Sequence, residues 1–161
     1  MNNKSTTELF KSRIMKRILA IASDHAGYRM KLSMISYLEE KGFRVKDFGT
    51  DSEEAVNYPD YGHPLAEAVE SGSCSLGISL CGSGNGINMV TNKHQGIRGA
   101  ICWNKEVSML ARRHNDANIC SLPARFMDFE TAKEIVDTFL ETEFEGGRHV
   151  IRIKNIPIHK S

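Results

Sequence analysis

The feature that most constrains this chain is its alternation of short apolar runs with longer amphipathic stretches. From Arg17 onward the runs are RILAIAS (17–23), RVKDFG (44–49), SLGISLCG (75–82), RGAICW (98–103) and ANICSL (117–122). Several are continuous rather than alternating, as strands buried on both faces are. Between and after them lie YRMKLSMISYLEEK (28–41), DYGHPLAEAVES (60–71), GINMVTNK (86–93), KEVSMLARRHN (105–115) and MDFETAKEIVDTFLETEF (127–144). Met30, Met34, Ile35 and Leu38 have the helical spacing of one apolar face. Gly42 is placed to end the first helix, and Asp128 to cap the last at its N terminus. Strand–helix alternation of this kind predicts an α/β fold, a parallel sheet with helices on both faces. Ligands in such sheets bind at the carboxyl ends of the strands. That directs attention to Ser23–Gly27, Cys81–Gly86 and Pro123–Arg125.

With 161 residues, 40% hydrophobic and 25% charged, the chain has the size and balance of one globular domain. The formal net charge of +1 gives no argument for nucleic acid or a membrane surface as partner. No apolar run approaches the ~20 residues of a membrane span. The first stretch carries Lys4, Glu8, Lys11 and Arg13 and lacks the apolar core of a signal peptide. Residues 1–15 are expected to be a poorly ordered extension and 16–161 a single domain. Cys74, Cys81, Cys102 and Cys120 form no CxxC pair, so free thiols and a cytoplasmic setting are expected.

Four segments are candidates for chemistry. In Cys81-Gly82-Ser83-Gly84-Asn85-Gly86, three glycines in five residues leave backbone N–H groups free to converge on an anion. A cysteine there is a usable base or nucleophile beside an oxyanion hole; the alternative is a core cysteine before a generic turn. The segment is not a dinucleotide fingerprint, since Ile87 stands where the last glycine belongs. Nor is it a phosphate-binding P-loop, which needs Gly-Lys-Ser/Thr. Asp24-His25 can bind hydroxyls or relay a proton, or can merely start a helix. His114-Asn115-Asp116 reads locally as the polar end of a helix. Arg148 and Arg152, with His149 between them, can clamp a phosphate or form a solvated basic tail.

Taken in order, Asp24-His25-Ala26-Gly27, Asn57-Tyr58-Pro59-Asp60, Cys81–Gly86, Asn92-Lys93, Gly96-Ile97-Arg98, His114–Asn118 and Glu145-Gly146-Gly147-Arg148-His149 resemble the ribose-5-phosphate isomerase B family, which is shared with galactose-6-phosphate isomerase. The resemblance runs from about Lys16 to Pro157. It implies a three-layer α/β/α Rossmann-like sandwich with a five-stranded parallel sheet. It also implies interconversion of an aldose phosphate and a ketose phosphate, with no metal and no cofactor. One branch of the family uses a cysteine base opening the glycine loop; the other uses a glutamate just after the loop. Cys81 is present and Ile87 occupies the glutamate's place, so this chain resembles the cysteine branch.

By the same resemblance, Ser83 and the backbone of Gly82, Gly84, Asn85 and Gly86 would hold the enediolate. His114 would open the sugar ring with Asp24 assisting. Tyr58 and Asn115 would contact the sugar, and His25, Arg125, Arg148 and Arg152 the phosphate. The implied partners are a small sugar phosphate and a second copy of the chain, as a homodimer or dimer of dimers. The tail, 145–161, would pack on that second copy. Chain direction supports this: the helix after the fourth strand descends from the catalytic edge, so His114 should lie at the edge opposite Cys81. Allose or galactose 6-phosphate is the rival substrate class. A non-catalytic sugar-phosphate-binding module is the rival function, and a thiol redox protein is disfavoured by the missing CxxC.

Overall fold

The computed structural model describes residues 17–158. The extension expected over 1–15 and residues 159–161 of the tail lie outside them. Five strands form one parallel sheet: β1 (Ile18–Ser23), β2 (Arg44–Asp47), β3 (Leu76–Cys81), β4 (Gly99–Ile101) and β5 (Ile119–Pro123). Their order is β2-β1-β3-β5-β4. Each lies on one of the five apolar runs. All are shorter than the runs that predict them: β2 stops before Phe48 and Gly49, the latter at φ 96°, β4 stops before Cys102, and β5 starts at Ile119 and reaches one residue past its run, to Pro123.

Six helices complete the described residues: α1 (Tyr28–Glu40), α2 (Pro59–Glu70), α3 (Asn85–Thr91), α4 (Lys105–Asn115), α5 (Phe129–Glu141) and α6 (Arg148–Lys154). Alternate residues of β1 face opposite layers, as strand geometry requires. Leu19 and Ile21 join Met34 and Leu38 of α1, Ala111 of α4, and Ile135 and Phe139 of α5 in one core. Ala20 and Ala22 join Leu65, Ala66 and Val69 of α2 in the other. The result is the expected α/β/α sandwich.

Both caps read from the sequence form. Gly42, at φ 91°, donates to Glu39 O (2.9 Å) while Phe43 N donates to Leu38 O (3.0 Å), a Schellman end for α1. The Asp128 side chain accepts from Thr131 N at 2.8 Å. The last long helix ends at Glu141, short of the expected Phe144, because Thr142 leaves helical geometry at ψ 129°. The tail, which breaks the α/β rhythm in sequence, folds as the short α6 against α4 of its own chain.

Candidate active site

From β1 the chain runs first to β2 on one side and later to β3 on the other, so the switch point lies between the ends of β1 and β3. The two loops there are joined. Asp24 N donates to Leu80 O (3.2 Å). Gly27 approaches so closely that a Cβ would sit 2.7 Å from Leu80 Cβ. Above them opens a cavity of about 400 Å³ lined by Asp24, His25, Ala26, Tyr58, Cys81, Gly82, Ser83, Gly86, Arg125 and Phe126.

Cys81 ends β3 and is 4% exposed. Its Sγ accepts the Gly84 N–H at 3.1 Å. Gly84 makes this possible: it sits at φ +76°, and a Cβ there would come within 3.2 Å of Pro123 N. Ser83 Oγ accepts Asn85 N–H (3.3 Å) where α3 begins. The Tyr58 ring lies on Gly86, where a Cβ would meet Tyr58 Cζ at 2.7 Å. Ile87 is fully buried, so no carboxylate follows the loop. Gly84 and Asn85 are not among the residues lining the cavity. One orients the sulfur and the other starts the helix.

The segment after β5 is tied to the same loop. Ala124 N donates to Cys81 O (2.9 Å) and Arg125 N to Gly82 O (3.0 Å). That lays the Arg125 side chain over Gly82, where a Cβ would be 3.3 Å from Arg125 Cδ. Phe126 closes the turn, 77% exposed, and was not foreseen; a lone apolar loop residue carries no periodic signal.

Asp24 both shapes the turn after β1 and faces the cavity. Its Oδ1 accepts the amides of Ala26 (2.9 Å) and Gly27 (3.1 Å), forming the turn into α1, while the carboxylate also lines the cavity. His25 Nδ1 accepts from Val56 N (3.3 Å). The neutral ring therefore carries its proton on Nε2, as a donor.

His114, Asn115, Arg148 and Arg152 do not line this cavity. His114 and Asn115 end α4 at the opposite edge of the sheet, where Asn115 O accepts Arg98 Nε (3.0 Å) just before β4. There His114 stacks on His149, with ring centroids 4.4 Å apart and planes 11° from parallel. Glu145 straddles the pair: Oε2 is 4.0 Å from His114 Nε2 and Oε1 is 3.9 Å from His149 Nε2. Arg113 binds Glu145 at 2.7 Å and holds its carboxyl below the usual range. His149 is 3% exposed, and its Nε2 has no hydrogen-bond partner among the described residues. Burial, then His114, pushes the His149 imidazole below its ordinary value. The His114, Glu145 and His149 donor atoms lie within 4.8 Å of one another. The parallel rings aim their lone pairs side by side rather than at one point, and Arg113 already occupies the carboxylate. Arg148 and Arg152 are exposed, one turn apart on α6, with no ion-pair partner among the described residues.

The family model described as Ribose/Galactose Isomerase matches residues 19–156. Ribose-5-phosphate isomerase B of Escherichia coli is 41% identical over 142 residues, 88% of this chain and 95% of that protein. A crystal structure of a ribose 5-phosphate isomerase from Thermotoga maritima matches at TM-score 0.87 and 46% identity, covering 88% of this chain and 98% of that one. The structure of ribose-5-phosphate isomerase B from Mycoplasma genitalium with bound ribulose-5-phosphate matches at TM-score 0.85 and 38% identity, covering 88% and 95%. No helix among the described residues is long and apolar enough to cross a membrane.

Proposed function

The chain belongs to the ribose/galactose isomerase family, and we propose that it interconverts ribose 5-phosphate and ribulose 5-phosphate through an enediolate, with Cys81 as the base. The observation that carries this is the Cys81 sulfur at the cavity wall, held by the Gly84 amide, with buried Ile87 where a carboxylate base would otherwise stand. In the forward direction the furanose opens first, with His114 donating to the ring oxygen and Asp24 assisting. Cys81 then removes the C2 proton. Negative charge gathers on O1 and is met by Ser83 and the loop backbone at Gly82 and Gly86, since the Gly84 and Asn85 amides serve Cys81 Sγ and Ser83 Oγ. The O2 proton then passes to O1, and return of the proton from Cys81 to C1 gives the ketose.

Each component has a physical scale. A positioned base contributes ~10²–10⁴-fold. Each oxyanion donor adds on the order of 3–4 kcal/mol. One loop carrying base and donors fixes their mutual geometry, which enolisation needs. His25, Arg125, Arg148 and Arg152 bind the phosphate, remote from the reacting carbons, so its binding energy helps orient the open chain. Tyr58 and Asn115 contact the sugar hydroxyls.

A homodimer, alone or paired into a dimer of dimers, completes the site. The Cys81 cavity and the His114–Arg148–Arg152 group occupy opposite edges of one sheet. A two-fold partner can bring one to the other. Exposed Met89, Trp103, Phe126 and Ile151 offer apolar surface for it to cover. The cytoplasm is the proposed setting. The test is a coupled assay with a panel of five- and six-carbon aldose phosphates. Selective turnover of ribose 5-phosphate is expected; preference for a six-carbon sugar reassigns the substrate, and turnover of none makes the protein a binder.

A further inference from the structure

We infer that Glu145 and His149 are positioning residues for His114: together they hold its half-buried imidazole in the orientation that ring opening needs. The inference rests on the isomerase reading and concerns only its ring-opening half.

The arrangement has a local cause. Gly146 and Gly147 stand at φ +72° and +56° with open space where a Cβ would be, so they are needed for conformation rather than clearance. They turn the chain so that Glu145, before them, and His149, after them, meet the same ring. Glu145 N is fixed to Arg113 O (3.0 Å), one residue before His114. The carboxylate thus presents one oxygen to each imidazole, at 4.0 and 3.9 Å.

Arg113 faces the cluster from α4, Arg148 and Arg152 from α6, and Glu145 is the carboxylate against it among the described residues. Two imidazolium rings stacked at 4.4 Å would repel each other beside three guanidinium groups. His149 is buried while the His114 side chain is 35% exposed, so His114 is the ring that can reach a substrate. His149, 3% exposed, acts through His114 and not on the sugar. Its ring also backs one face of the His114 ring.

The chemistry of the two substrates provides a clean test. Ribose 5-phosphate is closed through O4, whereas ribulose 5-phosphate has its C5 oxygen blocked by phosphate and stays open. Exchange of the C1 proton of ribulose 5-phosphate in heavy water therefore needs the Cys81 loop but no ring opening. Glu145→Gln and His149→Phe are expected to lower ribose 5-phosphate turnover about ten- to hundredfold, as misplacement of a reacting group does. Exchange from ribulose 5-phosphate should stay within about twofold of wild type. Equal losses in both reactions, or loss in neither, overturn the inference. A wild-type protein with neither reaction overturns the isomerase reading itself. Should His149→Phe not fold, Glu145→Gln decides alone, since it alters a side chain already 42% exposed.

Discussion

The Gly84 amide donates to the Cys81 sulfur across 3.1 Å, and the loop between them holds Ser83. Donor, sulfur and hydroxyl therefore move as one body at the end of β3. A base and the groups that receive the developing charge must keep register to a fraction of an ångström for enolisation. Four residues of backbone, with a glycine where φ must be positive, supply that register here.

If each active site is shared between two chains, inactive Cys81→Ala and inactive His114→Ala subunits should complement. A mixed dimer has one doubly altered site and one intact site. Random exchange makes about half the dimers mixed, so activity should return to roughly a quarter of wild type. No recovery, with exchange verified independently, would place both residues in one chain's site.

Arg148→Ala and Arg152→Ala should raise KM strongly for phosphorylated sugars, by about tenfold or more each, as loss of a charge-assisted contact does. Their effect on the poorer unphosphorylated sugar should be small. Equal losses on both would mean that the arginines serve the fold of α6 instead.

The Lys31 side chain is completely buried and ends on the Asp47 carboxylate, its Nζ 2.6 Å from Oδ1. Asp47→Ala leaves that ammonium uncompensated and should cost about 3–5 kcal/mol in chemical denaturation. Lys31→Met with Asp47→Ala should recover much of the loss. A single variant within about 1 kcal/mol of wild type would show that water reaches the lysine.

Burial holds the His149 imidazole below its ordinary value, so the unfolded chain takes up this proton first. The contribution to stability is present above about pH 6.5 and is lost as pH falls through the depressed folded value. Wild type should therefore lose denaturation midpoint between pH 7 and pH 5 more steeply than His149→Gln. Parallel slopes would remove His149 as the cause.

Much of this was legible in the chain itself. The five apolar runs located the strands, and strand polarity alone placed Ser23–Gly27, Cys81–Gly86 and Pro123–Arg125 at one edge. It also set His114 at the other. Gly42 and Asp128 were readable because caps depend on nearest neighbours. Lys31 was not: it lies on the buried side of α1 because a carboxylate from β2 meets it, and helical periodicity cannot see a partner sixteen residues away. The stacking of His149 under His114 was hidden for the same reason. It joins two helices through the six residues between α5 and α6, whose path depends on two glycines in positive φ.

The most direct test of Cys81 as the base is exchange of the C2 proton of ribose 5-phosphate in heavy water, measured beside sugar-phosphate binding. Cys81→Ala should lose at least about a hundredfold of the exchange and bind the sugar phosphate nearly as wild type does, because the loop backbone and the phosphate ligands remain. Near-wild-type exchange by Cys81→Ala would contradict the assignment outright.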